Sequence, residues 1–321
     1  MTTPSQSHSA AAESDEAWMM RMDEIGEELG YFQPLGDRHA AFFVDEGPTL
    51  LVSFESVASI RAGAENQMPL GYRIARRAGW SHLCLIADGD TWYRDASVYG
   101  YFDRLVDDAF FEDFDRVVFY GAGMGGYAAA AFSVAAPGAT VICLRPQATL
   151  DPRVAEWERR FLAQRRVSFT DRYGFAPDMI EGAAQVFLLY DPEVMPDAVH
   201  AALFTRPHVT RLRCRHLGPR LEEDLGTMGV LRDMIENACL GHFSADDFHE
   251  GFRARRDNIG YLLRLLARLE ADNRFGLVER LCRWAQDRFA HPRFRHALGR
   301  AEAEIAVRTA RDTAEAPVTP A

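Results

Sequence analysis

Residues 116–129 read Arg-Val-Val-Phe-Tyr-Gly-Ala-Gly-Met-Gly-Gly-Tyr-Ala-Ala, and this stretch decides the fold. The apolar run Val117–Tyr120 predicts a buried strand, and the small residues that begin at Tyr127 predict a helix. The glycines between the two elements are Gly121, Gly123, Gly125 and Gly126. A strand that turns this sharply into a helix is typical of an α/β protein, in which a parallel sheet binds ligands at the carboxyl ends of its strands.

Two functional interpretations fit the glycine turn. Gly121, Gly123 and Gly126 satisfy G-x-G-x-x-G, a pattern that brings a pyrophosphate to the N-terminus of the following helix. The turn also fits the nucleophile elbow G-x-S-x-G, which lifts a serine above the sheet, at every position except the reactive one. Gly123 stands where that serine would be, and glycine adopts the strained backbone of an elbow without penalty.

The composition excludes several classes of function. The 321 residues include 36 basic ones, all arginine, and 47 acidic ones, for a formal net charge of −11. Such an acidic chain argues against nucleic acid or an anionic membrane as a partner. Without lysine, it has neither a P-loop lysine nor an amine for Schiff-base chemistry. No cofactor is predicted.

The cysteines and the apolar runs bear on the compartment. No two of the five cysteines form a C-x-x-C pair, so a disulfide framework is not expected. The N-terminus is polar and then acidic, unlike a signal peptide, and no apolar run approaches the roughly 20 residues of a membrane span. These features predict a cytoplasmic protein without membrane spans.

Continuous apolar strands alternate with helices over residues 16–240, which predicts an α/β fold with a doubly wound, mostly parallel sheet. The charged and aromatic stretch at about 147–182 interrupts this alternation and is predicted to be an inserted lid. Apolar helical stripes across 246–310 predict a small helical appendage. The termini, residues 1–15 and 311–321, are predicted to be a disordered tail and a loose tail.

The loop after the predicted strand His82–Ala87 has the composition of a ligand-binding loop at the carboxyl edge of the sheet. Its candidate ligand-binding residues are Asp88, Asp90, Trp92, Tyr93 and Arg94. The alternative is a turn followed by an N-capped helix. The two acids do not continue into a calcium-binding pattern and no histidine pair has zinc spacing, so no metal site is predicted.

Arg145 ends the strand after the glycine turn, where a dinucleotide fold holds the adenosine ribose. An arginine there favours the 2′-phosphate of NADP, so Arg145, Gly121 and Gly126 are candidate ligand-binding residues. A dinucleotide fingerprint, however, belongs on the first strand of its unit, and at least three strands precede this turn. The first two, His39–Val44 and Thr49–Phe54, are predicted to be joined by an Asp-Glu-Gly-Pro turn.

From about residue 38 to residue 240, the chain resembles the α/β-hydrolase superfamily. The elbow carries the resemblance, together with the order of the residues that follow later strands. The family has a serine in the elbow, then an acid and, after the last strand, a histidine. Asp191 and His216 occupy the acid and histidine positions, which makes them the candidate catalytic acid and base. The resemblance also implies oxyanion donors at Met124 and at Glu55 or Ser56.

Because Gly123 has no side chain, the resemblance implies a non-catalytic or weakly catalytic homologue, one that binds a small molecule, an acyl or glycan group, or a protein partner. One alternative is an active hydrolase or acyltransferase with a displaced nucleophile, for which Ser53, Ser56 and Thr91 are candidates. A second alternative is an enzyme that binds NADP or another nucleotide. The helices of 246–310 could serve a protein partner or self-association.

The chain also resembles bacterial proteins that carry the label phosphoadenosine phosphosulfate reductase. That reductase uses a glycine-serine phosphate loop with lysine, and a reactive C-terminal cysteine. This chain has no lysine, and its last cysteine, Cys282, lies in a predicted amphipathic helix. The label therefore implies no reductase mechanism here.

Overall fold

The computed structural model of the protein describes residues 14–62 and 66–315, with side chains up to residue 310. The chain forms two compact units. The first consists of Met1–Arg215 and Leu231–Phe248, and the second of His216–Val230 and His249–Ala321. Most of the predicted N-terminal tail, residues 1–15, lies outside the described residues. So do residues 316–321 of the predicted C-terminal tail, 311–321.

The first unit contains a single sheet of eight strands among its described residues. The strands are β1 (Gly30–Leu35), β2 (His39–Val44), β3 (Thr49–Ser56), β4 (Ser81–Ala87), β5 (Arg116–Ala122), β6 (Thr140–Leu144), β7 (Gln185–Tyr190) and β8 (Val209–Arg213). Their order is β1-β2-β4-β3-β5-β6-β7-β8. The pairs β1/β2 and β2/β4 are antiparallel, and the other neighbours are parallel. The predicted α/β fold with a mostly parallel sheet is confirmed.

Helices connect the strands and continue beyond them. The α-helices are α1 (Asp15–Leu29), α2 (Val57–Ala62), α3 (Leu70–Ala78), α4 (Ala96–Asp107), α5 (Met124–Phe132), α6 (Pro152–Ala155), α7 (Ala176–Met179), α8 (Met195–Leu203), α9 (Leu221–Thr227), α10 (Val230–Leu240), α11 (Ala245–Gly251), α12 (Ile259–Ala271), α13 (Phe275–Gln286) and α14 (Pro292–Glu315). Short 3-10 helices lie at Phe110–Asp113, Ser133–Ala135, Leu162–Arg166, Gly218–Arg220 and Phe252–Asp257. No helix in the described part of the chain is both long and apolar enough to cross a membrane.

Both faces of the sheet are covered, because most of its strands are apolar on both sides. On one face, Phe54 of β3 stacks on Phe102 of α4 and on Phe132 of α5. On the other face, Trp18 of α1 belongs to the same buried cluster as Phe42 of β2. Helices on both faces give the doubly wound arrangement.

The strands β2 and β3, which the predicted turn joins, are not neighbours in the sheet. The buried strand β4 lies between them. The hydroxyl of Ser81, the first residue of β4, accepts hydrogen bonds from the amides of Glu46 and Gly47 at 2.9 and 3.0 Å. The turn is thus fixed to β4, whose residues are all buried, as expected for an inner strand of a sheet.

The edge strand β1 was not predicted from the sequence. Its residues are mostly exposed or half-buried, so their apolar pattern is weak. It also contains Pro34, which cannot donate a ladder hydrogen bond and is therefore tolerated mainly in edge strands. Both properties fit a strand with a single neighbour, β2.

The second unit has a core of its own, formed by α12, α13 and α14 within the range predicted as a helical appendage. Its buried side chains are Leu262, Leu266, Val278, Cys282, Ala285, Phe294, Ala297 and Ala301. Asn258 caps α12 by accepting a hydrogen bond from the Tyr261 amide at 2.8 Å. The last helix, α14, extends through part of the predicted C-terminal tail.

The second unit also contains residues 216–230, which the sequence prediction had placed with the sheet. Arg264 of α12 forms an ion pair with Asp224 of α9. The Nε of the same arginine donates to the carbonyl oxygen of His216 at 2.6 Å. One guanidinium therefore ties this segment to α12, although the two are far apart in the sequence.

Gly125→Ala tests how closely α5 approaches the sheet. A Cβ at this position would lie 2.3 Å from the carbonyl oxygen of Phe54, which is backbone and cannot rotate away. We expect a loss of about 2–3 kcal/mol in the free energy of unfolding, measured by urea denaturation. The control is Gly100→Ala in α4, where no atom lies within 4 Å of the added carbon. This variant should gain up to ~1 kcal/mol, and equal effects at both positions would contradict the account.

Candidate functional site

The glycine turn forms a sharp elbow between β5 and α5. Gly123 has φ 57° and ψ −120°, a combination outside the regions that residues with a side chain ordinarily adopt. A Cβ built on Gly123 would have no heavy atom within 4 Å. The elbow therefore has open space where a nucleophilic side chain would stand, and the glycine leaves that space empty.

The neighbouring glycines allow α5 to approach the sheet. A Cβ on Gly121 would lie 2.1 Å from the carbonyl oxygen of Gly125. A Cβ on Gly126 would lie 2.9 Å from the carbonyl oxygen of Leu144. Backbone packing thus accounts for these two members of the G-x-G-x-x-G pattern without a bound pyrophosphate. A role for them in nucleotide binding stays a prediction.

At the elbow, no described side chain caps the start of α5, and the adjoining Arg145 has a buried nitrogen without a hydrogen-bond partner among the described residues. No side chain caps the N-terminus of α5, so its first amides, including that of Met124, have no partner within the helix. The Gly123 amide donates to the Leu144 carbonyl at 2.8 Å. The next residue, Arg145, is held in a left-handed conformation with φ 49°. Its Nε is buried without a hydrogen-bond partner among the described residues, which is unusual for a buried polar atom.

The end of β3, the other predicted source of oxyanion donors, is occupied by further contacts. The Ser56 amide donates to the Ser59 hydroxyl at 3.0 Å. The Glu55 carboxylate accepts hydrogen bonds from the amides of Leu70 and Gly71, at 2.7 and 3.0 Å. These are the first two residues of α3, and negative charge stabilises a helix N-terminus. The side chain of Glu55 therefore caps α3.

Two aromatic residues of the predicted ligand loop are built into the core. Trp92 and Tyr93 are buried and have φ values of 51° and 54°, which is strained for residues with a side chain. The Trp92 indole donates to Gln147 Oε1 at 3.1 Å. The Tyr93 hydroxyl donates to the Glu55 carbonyl at 2.9 Å. These contacts fix the loop against the ends of β3 and β6.

The other candidates in this loop have different surroundings. Asp88 and Asp90 are exposed. Arg94 donates to the carbonyl oxygens of Ser168 and Arg172, both in the predicted lid, at 2.9 and 2.5 Å. The loop therefore connects the carboxyl edge of the sheet with the lid segment. A ligand-binding role for its residues stays a prediction.

The candidate displaced nucleophiles Ser53 and Thr91 are both buried. Ser53 donates its hydroxyl proton to Glu55 Oε1 at 2.8 Å and lies 2.9 Å from Nε2 of His82. Burial lowers the pKa of His82 to about 3, so its ring is neutral. The Thr91 hydroxyl lies 2.8 Å from Nε2 of His39. A hydroxyl beside an imidazole is the pairing a nucleophile requires, but burial keeps a substrate from both hydroxyls in this conformation.

One group of described residues could hold a metal ion, and the sequence analysis did not find it. A carboxylate oxygen of Glu55, a ring nitrogen of His82 and the Sγ of Cys84 all lie within 4.8 Å of one another. The residues belong to β3 and β4, which are neighbours in the sheet but separated in sequence by α2 and α3. Strand alternation gave the only sequence evidence, since it places His82 and Cys84 on one face of β4.

The candidate acid and base lie in different compact units. Asp191 follows β7, is buried, and accepts a hydrogen bond from the Glu193 amide at 2.9 Å. His216 has φ 65° and is half-buried in the second unit. Its ring centroid lies 5.9 Å from that of Tyr261. The pairing of Asp191 with His216 stays a prediction.

A buried ionic network fixes the predicted lid to α8. Glu158 and Asp197 are both buried, and Arg160 forms ion pairs with each of them at 2.6 Å. His200 Nε2 lies 3.3 Å from Glu158, while its Nδ1 accepts a hydrogen bond from the Ala148 amide at 3.1 Å. Two buried carboxylates thus share one guanidinium that is itself partly exposed to solvent.

The lid segment also encloses part of an open cavity of about 510 Å³. Its lining combines charged side chains with aromatic ones, including Asp151, Arg153, Phe169 and Tyr173. None of the described residues that line it belongs to the elbow. This cavity is therefore separate from the open space at Gly123.

The network predicts a specific pH dependence of stability. Burial alone would raise the pKa of Glu158, but hydrogen bonds from His200 and Arg160 lower it from 4.5 to about 2. A lowered pKa in the folded protein stabilises it above pH 4.5, and this contribution is lost as the pH falls toward 2. As the pH falls from 4.5 toward 2, we expect the free energy of unfolding to decrease by about 2–3 kcal/mol less in Glu158→Gln than in the wild-type protein. The measurement is urea denaturation at a series of pH values.

Glu156→Gln is the matched control, because the Glu156 side chain is exposed and lies two residues away. Its denaturation should follow that of the wild-type protein across the same pH range. An equally steep loss of stability in wild type and Glu158→Gln would contradict the assignment.

No protein-family model and no curated protein matches this chain. Solved structures are similar at low identity. A mutant of the capsule O-acetyltransferase of Neisseria meningitidis serogroup A in complex with CoA has a TM-score of 0.45 at 11% identity, over 65% of this chain and 95% of that one. Est1E from Butyrivibrio proteoclasticus has a TM-score of 0.45 at 12% identity, over 66% of this chain and 97% of that one. The Pyrobaculum calidifontis esterase has a TM-score of 0.42 at 13% identity, over 71% of this chain and 91% of that one. Similarity at this level does not identify what the chain binds or catalyses.

Proposed function

We propose that the chain is an α/β-hydrolase-like protein that binds a ligand or partner at the elbow and has little or no catalytic turnover. One observation carries the proposal. The backbone at Gly123 makes a sharp turn with open space at the Cβ position, yet no side chain is present. A nucleophile elbow acts through a hydroxyl or thiol at this residue, and glycine has neither.

The size of the expected loss explains why turnover would be weak. Removing a triad serine lowers kcat by roughly 10⁶-fold in the best-studied case. Roughly 10³–10⁴-fold catalysis over water remains there, from oxyanion stabilisation and substrate binding. A protein with these parts but no nucleophile would bind an acyl compound far better than it turns it over.

The groups at the elbow favour a ligand with a carbonyl or negatively charged oxygen. The uncapped amides of α5, Met124 among them, can donate to such an oxygen. Arg145 follows Leu144, whose carbonyl accepts the Gly123 amide, and its half-buried guanidinium can bind a carboxylate or phosphate oxygen. An acyl group, or a glycan that carries one, offers this chemistry.

Asp191 and His216 keep the roles of acid and base in this proposal. The rival function is an active hydrolase or acyltransferase with its nucleophile elsewhere, at Ser53, Ser56 or Thr91. The burial of Ser53 and Thr91 weighs against the rival, since a substrate would have to displace packed core residues to reach them. A fluorophosphonate adduct mapped to one of the three residues would support it.

Gly123→Ser tests the proposal directly. The added side chain has room, and the new hydroxyl would stand above the N-terminus of α5. We expect this variant to hydrolyse short aryl esters on the order of 10²-fold faster than wild type, because it supplies the missing nucleophile. The measurement is the initial rate of ester cleavage on purified protein.

Two controls separate nucleophilic catalysis from a change in folding. Gly123→Ala imposes the same backbone strain without a hydroxyl, so it should stay as slow as wild type. Adding His216→Ala to Gly123→Ser should abolish the gained activity if His216 is the base. Rapid ester cleavage by the wild-type protein that His216→Ala abolishes would contradict the proposal.

A further inference from the structure

We propose that Glu55, His82 and Cys84 bind one zinc-like divalent metal ion, such as Zn²⁺ itself. The ion would lie between β3 and the helices that cover this strand. This site is separate from the elbow and does not depend on the proposed function. The observation behind it is the convergence of an oxygen, a nitrogen and a sulfur ligand within 4.8 Å of one another.

The spacing of these atoms fits an ion. Zinc lies about 2.0–2.3 Å from oxygen, nitrogen and sulfur ligands, so ligand atoms around it are up to roughly 4 Å apart. The atoms of Glu55, His82 and Cys84 are already at nearly this separation. The ligand types also agree, since imidazole and thiolate together select zinc-like ions over Mg²⁺ or Ca²⁺.

The sheet supports this arrangement. Cys84 of β4 is paired in register with Ser53 of β3, and residues two apart on a strand point to the same face. Glu55 and Ser53 therefore face the same way, as do His82 and Cys84. Glu55 is further fixed by the amides of Leu70 and Gly71. A rigid frame of this kind holds metal ligands in place before the ion arrives.

Two features of the cluster indicate that it is more than a packed polar core. The Nδ1 of His82 is buried without a hydrogen-bond partner among the described residues, whereas such groups are nearly always satisfied. Gly71 comes so close that a Cβ there would lie 2.4 Å from His82 Nε2 and 2.7 Å from Ser53 Oγ. The backbone of α3 thus packs directly against the Nε2 side of the His82 ring, so Nδ1, which has no partner among the described residues, is the ring nitrogen available to an ion.

Metal binding at this site releases one proton, from the Cys84 thiol. The Cys84 thiol loses its proton to solvent as the sulfur–metal bond forms, because the thiolate is the ligand. Glu55 contributes a carboxylate oxygen and His82 a nitrogen lone pair. The Ser53 hydroxyl, which contacts both Glu55 and His82, is a candidate for the fourth ligand, and a water molecule could serve instead. No oxidation or reduction takes place.

Metal content and cobalt spectroscopy test the site. Full-length protein is expressed in minimal medium with zinc or with cobalt and is then dialysed against metal-free buffer. We expect one metal ion per chain by elemental analysis, and a cobalt–thiolate charge-transfer band in the near ultraviolet. Folded wild-type protein without bound metal would overturn the proposal, whatever the variants do.

Variants identify the ligands. Cys84→Ala should abolish the charge-transfer band and lower the metal content. Cys143→Ala, which removes another fully buried strand cysteine outside the cluster, should leave both unchanged. His82→Asn provides a second test if Cys84→Ala does not fold, and it should weaken metal retention during dialysis. A band that persists in folded Cys84→Ala, or is lost in Cys143→Ala, would contradict the assignment.

Discussion

Helix α5 lies so close to the sheet that only backbone separates them at several points. Its second residue, Gly125, approaches the Phe54 carbonyl, and Gly121 on β5 approaches the first turn of the helix in the same way. This close approach fixes the direction in which the chain leaves β5 and turns at Gly123. Gly121, Gly125 and Gly126 are all required for packing, whereas a Cβ at Gly123 would meet no neighbouring atom and would be opposed only by the positive φ of its backbone.

A second set of contacts that fixes the fold is made by Glu55, near the end of β3. Its carboxylate caps α3 and accepts the Ser53 hydroxyl, while its carbonyl oxygen accepts the Tyr93 hydroxyl. One residue therefore links the buried cluster on one side of β3 with the strained loop at the carboxyl edge. The elbow, this loop and the cluster belong to neighbouring strands of one rigid sheet, although we assign them different roles.

The sequence predicted those features that depend on local pattern. The strands are predicted from short apolar runs, the glycine turn from its composition and the helices of the second unit from their apolar stripes, and the structure contains all of them. It did not predict the position of β4 between β2 and β3, because a turn such as 45–48 does not reveal that its amides bind Ser81. The Arg264 contact with residue 216, and the convergence of Glu55 with Cys84, likewise arise from pairing across long stretches of chain.

The central claim is that the wild-type protein has no activated nucleophile, because glycine stands at residue 123 of the elbow. Intact-mass spectrometry of the wild-type protein after exposure to a fluorophosphonate tests it most directly, because the probe forms a stable bond only with an activated hydroxyl or similar nucleophile. We expect the mass to remain that of the unmodified chain after prolonged exposure. A stoichiometric adduct that is prevented by prior unfolding of the protein would contradict the claim and place an active nucleophile elsewhere in the fold.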